Sequence, residues 1–176
     1  MTQVLELVKE FKKFSALHIE KPLSNHELDR WVECQQKLAA ILFKTENNQI
    51  LDRRRFLRIP AALDVTYKAK SGKYAVVCND IGLSGLNVPY DPYVKLGHFV
   101  ALNIPLLHQK PLNIFRRNVW VDGMVSWLSP PQNKMGIEFL DLSRRKKQHL
   151  THLIFYLLDK QIPHRGGDPS ASHRVD

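Results

Sequence analysis

The pattern of apolar and polar positions changes once along the chain, from a helical period to a strand-like one. Over residues 2–17, apolar side chains recur every three or four positions, with lysines and glutamates between them. This spacing predicts an amphipathic helix. Pro22 breaks the pattern, and Ser24 to Glu27 form a capping box that begins a second helix over residues 24–44. These two helices are expected to bury their apolar faces against each other or against the rest of the chain.

From Ala61 onwards the period becomes two, and turn signals recur about every 8–12 residues, a pattern typical of an antiparallel barrel or sandwich. Residues 79–85 are expected to be a turn-rich loop, and Gly123 is the predicted site of a bulge. The predicted strands are 61–68 and 74–78, joined by a turn at Ser71 and Gly72, followed by 86–88, 98–105, 115–128 and 135–140.

Ser143 is the predicted N-cap of a closing helix over residues 144–161. Its first turn, Arg144 to Lys147, places cations at the positive end of the helix dipole, which is unfavourable by a few tenths of a kcal/mol per charge. These cations are either a solvated face or a contact for an acidic partner. The patterns together predict a helical extension over residues 1–48, a β-barrel domain with a C-terminal helix over 49–162, and a disordered tail over 163–176.

Composition limits the class of protein. The 176 residues carry a net charge of +9, which favours anionic partners such as nucleotides, nucleic acid or acidic lipid surfaces. Cys34 and Cys78 are too few for a disulfide framework or a zinc site, as expected in a reducing compartment. No secretory signal is evident, and no run of about 18 apolar residues predicts a membrane span. We therefore expect a cytoplasmic protein.

Catalytic patterns are poorly represented. Gly82 to Leu86 approaches a nucleophile elbow, but leucine stands where that motif requires glycine. His149 and His152 have the spacing of a metal clamp without a third ligand at a suitable distance along the chain, which favours surface histidines. Neither a Walker loop nor a dinucleotide fingerprint is present. The sequence predicts a non-enzyme with no catalytic residue, no metal site and no cofactor.

Four arginines, Arg53, Arg54, Arg55 and Arg58, lie within ten residues just before the strand-like region. Each guanidinium is a rigid fork of donors suited to phosphates, carboxylates or a guanine edge. From charge alone, this segment is either a solvated basic linker or an anion-binding segment.

The spacing Arg54-x-x-x-Arg58, followed by Asp80-x-x-x-x-Gly85, resembles the signature of the PilZ domain family, bacterial receptors for cyclic di-GMP. The family signature is R-x-x-x-R followed by [D/N]-x-S-x-x-G, and Gly82 stands here at the serine position. The late strands and the helix after them also resemble the family, so that the resemblance covers residues 50–160. It implies a mainly β fold with α appendages: a six-stranded antiparallel barrel with an N-terminal two-helix extension and a C-terminal helix.

The resemblance also implies roles for single residues. Arg54 and Arg58 would bind phosphates and guanines, and Asp80 would accept hydrogen bonds from a guanine, consistent with the donors and acceptors that guanine offers. Gly85 would leave room for a close backbone approach. Arg53, directly before the arginine pair, implies an intercalated pair of cyclic di-GMP molecules.

Three further residues complete the predicted ligand-binding set or qualify it. Gly82 lacks the serine hydroxyl of the signature, worth about 0.5–1.5 kcal/mol as a hydrogen bond, and Ser84 is a candidate substitute. Trp127 is a candidate stacking platform worth about 1–3 kcal/mol. Trp120, which alternates with valines, is expected in the barrel core instead.

The sequence therefore predicts a non-enzymatic receptor whose arginine segment closes over cyclic di-GMP and moves the N-terminal helices. That movement would alter contact with an unidentified downstream protein, in motility, biofilm formation or transcription. Two alternatives stay open: a PilZ-like interaction module that has lost nucleotide binding, and a nonspecific basic nucleic-acid binder. A homodimer through the N-terminal helices is also compatible with the sequence.

Overall fold

The computed structural model describes residues 2–43, 56–106 and 118–162. The helices are α1 (Thr2–Glu20), α2 (Asn25–Phe43) and α3 (Arg144–Gln161), and the strands are β1 (Arg58–Ala69), β2 (Gly72–Gly82), β3 (Gly85–Val88), β4 (Phe99–Pro105), β5 (Asn118–Ser129) and β6 (Lys134–Leu140). The predicted fold class, a six-stranded barrel with two helices before it and one after it, is confirmed. The predicted domain boundary at residues 48 and 49 and the predicted tail at 163–176 lie outside the described residues.

The strands close into an antiparallel barrel in the order β1-β2-β3-β6-β5-β4, and pairing between β1 and β4 completes the ring. Alternate side chains point into the barrel, as the period of two requires. Ile59, Val65, Leu102, Val121 and Ile137 are among these fully buried side chains. Closure pairs every strand on both sides, which removes exposed sheet edges.

Strand β2 continues further than its sequence pattern predicts. The expected loop over residues 79–85 is reduced to a two-residue turn at Leu83 and Ser84, because β2 pairs with β3 as far as Gly82 and Gly85. This correction matters for the site, because it brings the start of β3 directly beside the end of β2.

The bulge predicted at Gly123 is wrong. The register of β5 against β6 shifts instead between Val125 and Trp127. A side chain on Gly123 would bring its Cβ within 2.7 Å of the Ile137 side chain. Glycine is needed there for close packing inside the barrel rather than for an irregular backbone.

The expectation that Trp120 lies in the barrel core is also wrong. Its side chain is 53% exposed, whereas Val119 and Val121 on either side of it are buried. Because side chains alternate between the two faces of a strand, the two inward valines force the tryptophan outwards.

The N-terminal helices form the predicted hairpin. The capping box is present: the Ser24 N–H donates to the Glu27 carboxylate at 2.9 Å, and the Glu27 N–H donates to the Ser24 hydroxyl at 3.3 Å. Between the helices, the Trp31 indole N–H donates to the Ser15 hydroxyl at 3.0 Å. The apolar side chains of the hairpin are buried only in part, since Leu28, Val32 and Ile41 of α2 are exposed. A dimer through these helices stays a prediction.

Polar contacts attach the hairpin to the rest of the chain. The backbone N–H of Leu57, directly before β1, donates to Gln35 Oε1 on α2 at 2.6 Å, and both residues are buried. Lys12 on α1 forms an ion pair with Asp159 on α3 at 2.6 Å. Within the described ranges, no helix is long and apolar enough to cross a membrane.

Replacing Gln35 by alanine is expected to lower the free energy of unfolding by about 1–3 kcal/mol, because the buried Leu57 N–H would lose its acceptor. Gln36→Ala is the matched control, since Gln36 is the exposed neighbour on the same helix and should change stability by less than about 0.5 kcal/mol. Urea denaturation followed by circular dichroism measures both. Equal stability of the two variants would contradict the role given to Gln35.

Candidate functional site

An ion pair between Arg58 and Asp80 is the centre of the candidate site. Arg58 pairs with Gly82 across the β1–β2 ladder and Pro60 pairs with Asp80, so Arg58 and Asp80 are diagonal neighbours on the outer face of the barrel. Arg58 Nη1 lies 2.9 Å from Asp80 Oδ1, and the two side chains are only 13% and 12% exposed. Both residues were predicted site residues, and the structure brings them together.

Asn87 holds the other oxygen of the same carboxylate. It pairs with Asp80 across the β2–β3 ladder, and its Nδ2 donates to Asp80 Oδ2 at 3.2 Å. Its own Oδ1 is buried and has no hydrogen-bond partner in the part of the chain that the structure describes. Sequence reasoning missed Asn87, although a two-residue turn between Gly82 and Gly85 would have placed it opposite Asp80.

The thiol of Cys78 borders this network. Burial, followed by the negative charge of Asp80, raises the pKa of Cys78 to about 12, so the thiol stays protonated. Its sulfur lies 3.0 Å from the carbonyl oxygen of Asp80, to which the thiol donates. Cys34 is buried on α2, and burial raises its pKa to about 11. Both are free, unreactive thiols.

A cleft of about 660 Å³ opens beside the ion pair. The barrel contributes Arg58, Ser84 and Trp127, all predicted site residues, and the remaining walls come from the end of α1 and the beginning of α3. Asp80 reaches the cleft only through its ion pair with Arg58. The predicted ligand contacts Arg53 and Arg54 lie outside the described residues.

The position of the Trp127 side chain requires a glycine at position 136. Its indole ring lies directly on Gly136 of β6, where any Cβ would overlap the ring. The tryptophan is half-buried on the outer side of the barrel and lines the cleft. It is therefore positioned as an aromatic surface of the cleft rather than as a core residue.

Gly85 is buried, and its missing side chain is explained by the barrel itself. A Cβ there would overlap the carbonyl oxygen of Ile137 on the neighbouring strand β6. The close backbone approach expected at Gly85 is thus an approach of β6. Contact between Gly85 and a ligand stays a prediction.

Among the described residues, no three His, Cys, Asp or Glu side chains group closely enough to hold a metal ion. The cleft is lined by a guanidinium, an ammonium, hydroxyls, an indole and the carboxylate of Glu138 on β6. The two cations and the indole suit an anionic, aromatic ligand, and the carboxylate adds a hydrogen-bond acceptor.

The sequence model of the PilZ domain family matches residues 52–156, more than half of the chain. The chain belongs to the PilZ domain family. The match includes the arginine segment, all six strands and most of α3. No curated protein matches the sequence significantly.

Several solved structures are similar to this PilZ protein at low sequence identity. The inhibitor of motility MotI/DgrA from Bacillus subtilis is 22% identical, with 65% of this chain and 54% of that chain covered and a TM-score of 0.48. The PilZ domain of YcgR from Escherichia coli, solved with c-di-GMP, is 17% identical, with 62% and 94% covered and a TM-score of 0.49. PlzA from Borreliella burgdorferi, in complex with c-di-GMP, is 14% identical, with 75% and 50% covered and a TM-score of 0.40. This chain thus spans about half the length of MotI/DgrA and of PlzA.

Gly82 is the position at which this PilZ chain departs from the family signature. A Cβ on Gly82 would lie 2.7 Å from the carbonyl oxygen of Leu57 and 3.2 Å from Cγ of Arg58. The backbone before β1 therefore occupies the space that a serine side chain would need. The departure is more than a missing hydroxyl, because it permits Leu57, directly before β1, to pack closely on β2.

Breaking the Arg58–Asp80 ion pair is expected to destabilise the fold. Arg58→Ala and Asp80→Ala should each lower the free energy of unfolding by about 3 kcal/mol, because each leaves a largely buried charge without its partner. The double variant should be less destabilised than the sum by about 1–3 kcal/mol. Urea denaturation of the four proteins measures this coupling, and simple additivity would show that the two charges do not interact.

Restoring the signature serine is expected to be unfavourable. Gly82→Ser should lower the free energy of unfolding by about 1–3 kcal/mol, because the Leu57 carbonyl has to move away from the new Cβ. Gly82→Ala carries the same Cβ without the hydroxyl and should behave alike in thermal denaturation. A serine variant as stable as the wild type would contradict the packing inferred at this position.

Proposed function

We propose that this PilZ protein is a receptor for cyclic di-GMP, and not an enzyme, and that it binds the nucleotide in the cleft beside Arg58. The observation that carries the proposal is the Arg58–Asp80 ion pair, which faces a 660 Å³ cleft also lined by Trp127. A guanidinium, a carboxylate and an indole are the groups that phosphates and guanines require. Family membership supports the same ligand.

Each predicted contact has a chemical counterpart on the ligand. Arg58 is oriented by Asp80 and can offer its remaining N–H groups to a phosphate or to the O6 and N7 atoms of guanine. Asp80 has about four lone-pair directions, of which Arg58 and Asn87 use two, so a guanine that reaches it beside Arg58 would find an acceptor for its N1–H or N2–H. Arg54 would add a second guanidinium from the segment before β1.

Ser84 and Trp127 would contribute beyond the charged contacts. Ser84 lies in the β2–β3 turn and lines the cleft, and its hydroxyl would supply about 0.5–1.5 kcal/mol in place of the serine absent at position 82. Stacking of a guanine on Trp127 would add about 1–3 kcal/mol. Arg53 supports an intercalated pair of ligand molecules as the bound species.

The arginine segment runs directly into contacts with the helical hairpin, which supports the proposed rearrangement. The Phe56 ring centroid lies 5.8 Å from that of Trp31 on α2, and the next residue, Leu57, donates its N–H to Gln35. A ligand that draws the segment towards the cleft would have to alter these contacts. It shifts the equilibrium only by the difference in its affinity for the two arrangements. The output would be an altered contact with a downstream protein in the cytoplasm.

Isothermal calorimetry with cyclic di-GMP tests the receptor function. Wild type should bind, and Arg54→Ala and Arg58→Lys should each lose about 1.5–3 kcal/mol of binding free energy. Arg58→Lys is preferable to Arg58→Ala, because an ammonium can keep the pair with Asp80 while losing the two-pronged fork. Lys73→Ala is the control, since it removes an exposed cation of the barrel that does not line the cleft.

The outcomes separate the three candidate functions. No heat with the wild-type protein would reject the receptor function and favour an interaction module without a nucleotide. Binding of random duplex DNA that weakens steeply with salt, together with no response to cyclic di-GMP, would favour a nonspecific nucleic-acid binder. A ligand-to-protein ratio of two that falls to one in Arg53→Ala would support the intercalated pair.

A further inference from the structure

The family signature lies on β1, β2 and the turn into β3, but the cleft has another wall that the signature does not include. The first two turns of α3 contribute Lys147 and Thr151 to this wall. The two residues are four positions apart, so their side chains lie on the same side of the helix, one turn from each other. Together they present an ammonium and a hydroxyl opposite the barrel.

Thr151 on α3 is a buried polar residue whose hydroxyl is not hydrogen-bonded within the described part of the chain. Its side chain is 2% exposed, and its Oγ1 has no hydrogen-bond partner among the described residues. A threonine inside a helix often returns its hydroxyl to the carbonyl four residues earlier, and an unpaired buried hydroxyl is destabilising. Because Thr151 lines the cleft, its hydroxyl, which the described residues leave without a partner, is available to a ligand there.

Lys147 places a positive charge on the same wall. It forms no ion pair within the part of the chain that the structure describes, and it ends the run of four cations from Arg144 to Lys147. The run lies in the first turn of α3, whose N-cap is Ser143, where the helix dipole is already positive. The helix alone is not stabilised by this arrangement, whereas an anion bound in the cleft would be.

We propose that α3 forms the second half of the nucleotide site, with Lys147 binding a phosphate of cyclic di-GMP and the Thr151 hydroxyl hydrogen-bonding to the same ligand. The inference rests on the proposed function and assigns it residues outside the family signature. Cyclic di-GMP carries two phosphates, so a ligand that spans the cleft can meet Arg58 on the barrel wall and Lys147 on the α3 wall at once. Binding would then connect α3 to the barrel through the ligand.

Calorimetry with cyclic di-GMP on matched lysine variants tests the charge contact. Lys147→Ala should weaken binding about tenfold, as expected for the loss of a hydrogen bond to a charged group. Lys146→Ala removes the same charge from the same helical turn at a residue that does not line the cleft, and should change the affinity by less than about twofold.

A second pair of variants tests the hydroxyl with two independent measurements. Thr151→Val keeps the shape of the side chain and should weaken binding several-fold, while raising the melting temperature of the ligand-free protein because an unpartnered buried hydroxyl is removed. Thr151→Ser keeps the hydroxyl and should keep most of the affinity. A purely structural role for Thr151 would change the melting temperature without changing the affinity.

The result for the wild-type protein separates this inference from the function on which it rests. No heat with wild type would reject the receptor function and this inference together. Wild-type binding with unchanged affinity in Lys147→Ala and Thr151→Val would overturn the role of α3 alone. Equal weakening by Lys147→Ala and Lys146→Ala would also overturn it, since only a general attraction of the basic run would then remain.

Discussion

The ion pair between Arg58 and Asp80 is the interaction on which the arrangement of the site depends. Charges withdrawn from water are stable only when their partners and hydrogen bonds are all in place, and removing one partner costs far more than the pair contributes. Here the β1–β2 register brings the two charges together, and the β2–β3 register adds Asn87 on the second carboxylate oxygen. A ligand that engages Arg58 therefore acts on a residue whose position is already set by the barrel.

The same stretch of chain connects the ion pair with the helical hairpin. Because Gly82 has no side chain, the Leu57 carbonyl can lie close to β2, and the Leu57 N–H reaches Gln35 on α2. Arg58 follows directly, so a displacement of its backbone would act on the Leu57–Gln35 hydrogen bond. This coupling needs no long pathway, because Leu57, which makes the helix contact, and Arg58, which makes the ion pair, are consecutive residues. Ligand binding and helix position would be linked through the start of β1.

Much of the fold follows from local rules. The capping box at Ser24 and the N-cap at Ser143 depend on neighbouring residues only, and both are present. The alternating pattern predicted strands but left barrel and sandwich open, and the arginine and aspartate spacing of the PilZ signature decided between them. The contact between Asn87 and Asp80 depends on the register of β3 against β2, and the need for glycine at position 82 depends on the nearby Leu57 backbone. The period of apolar residues along the sequence predicts neither of these. Trp120 was misassigned although its neighbouring valines already indicated the phase of β5.

The signature hydroxyl is missing at Gly82 on the barrel side of the cleft, and the polar side chains of α3 on the opposite wall can compensate for it. With the backbone before β1 packed against position 82, that position cannot supply a hydroxyl to a ligand, and the β2–β3 turn offers only Ser84. The opposite wall carries the Thr151 hydroxyl, for which the described part of the chain offers no partner, and Lys147, a cation at a helix terminus that does not benefit from it. A site that has lost a contact on one wall can keep its affinity by gaining another across the cleft. In the proposed site the C-terminal helix belongs to the recognition surface, and the motif on the barrel accounts for only part of the contacts with the nucleotide.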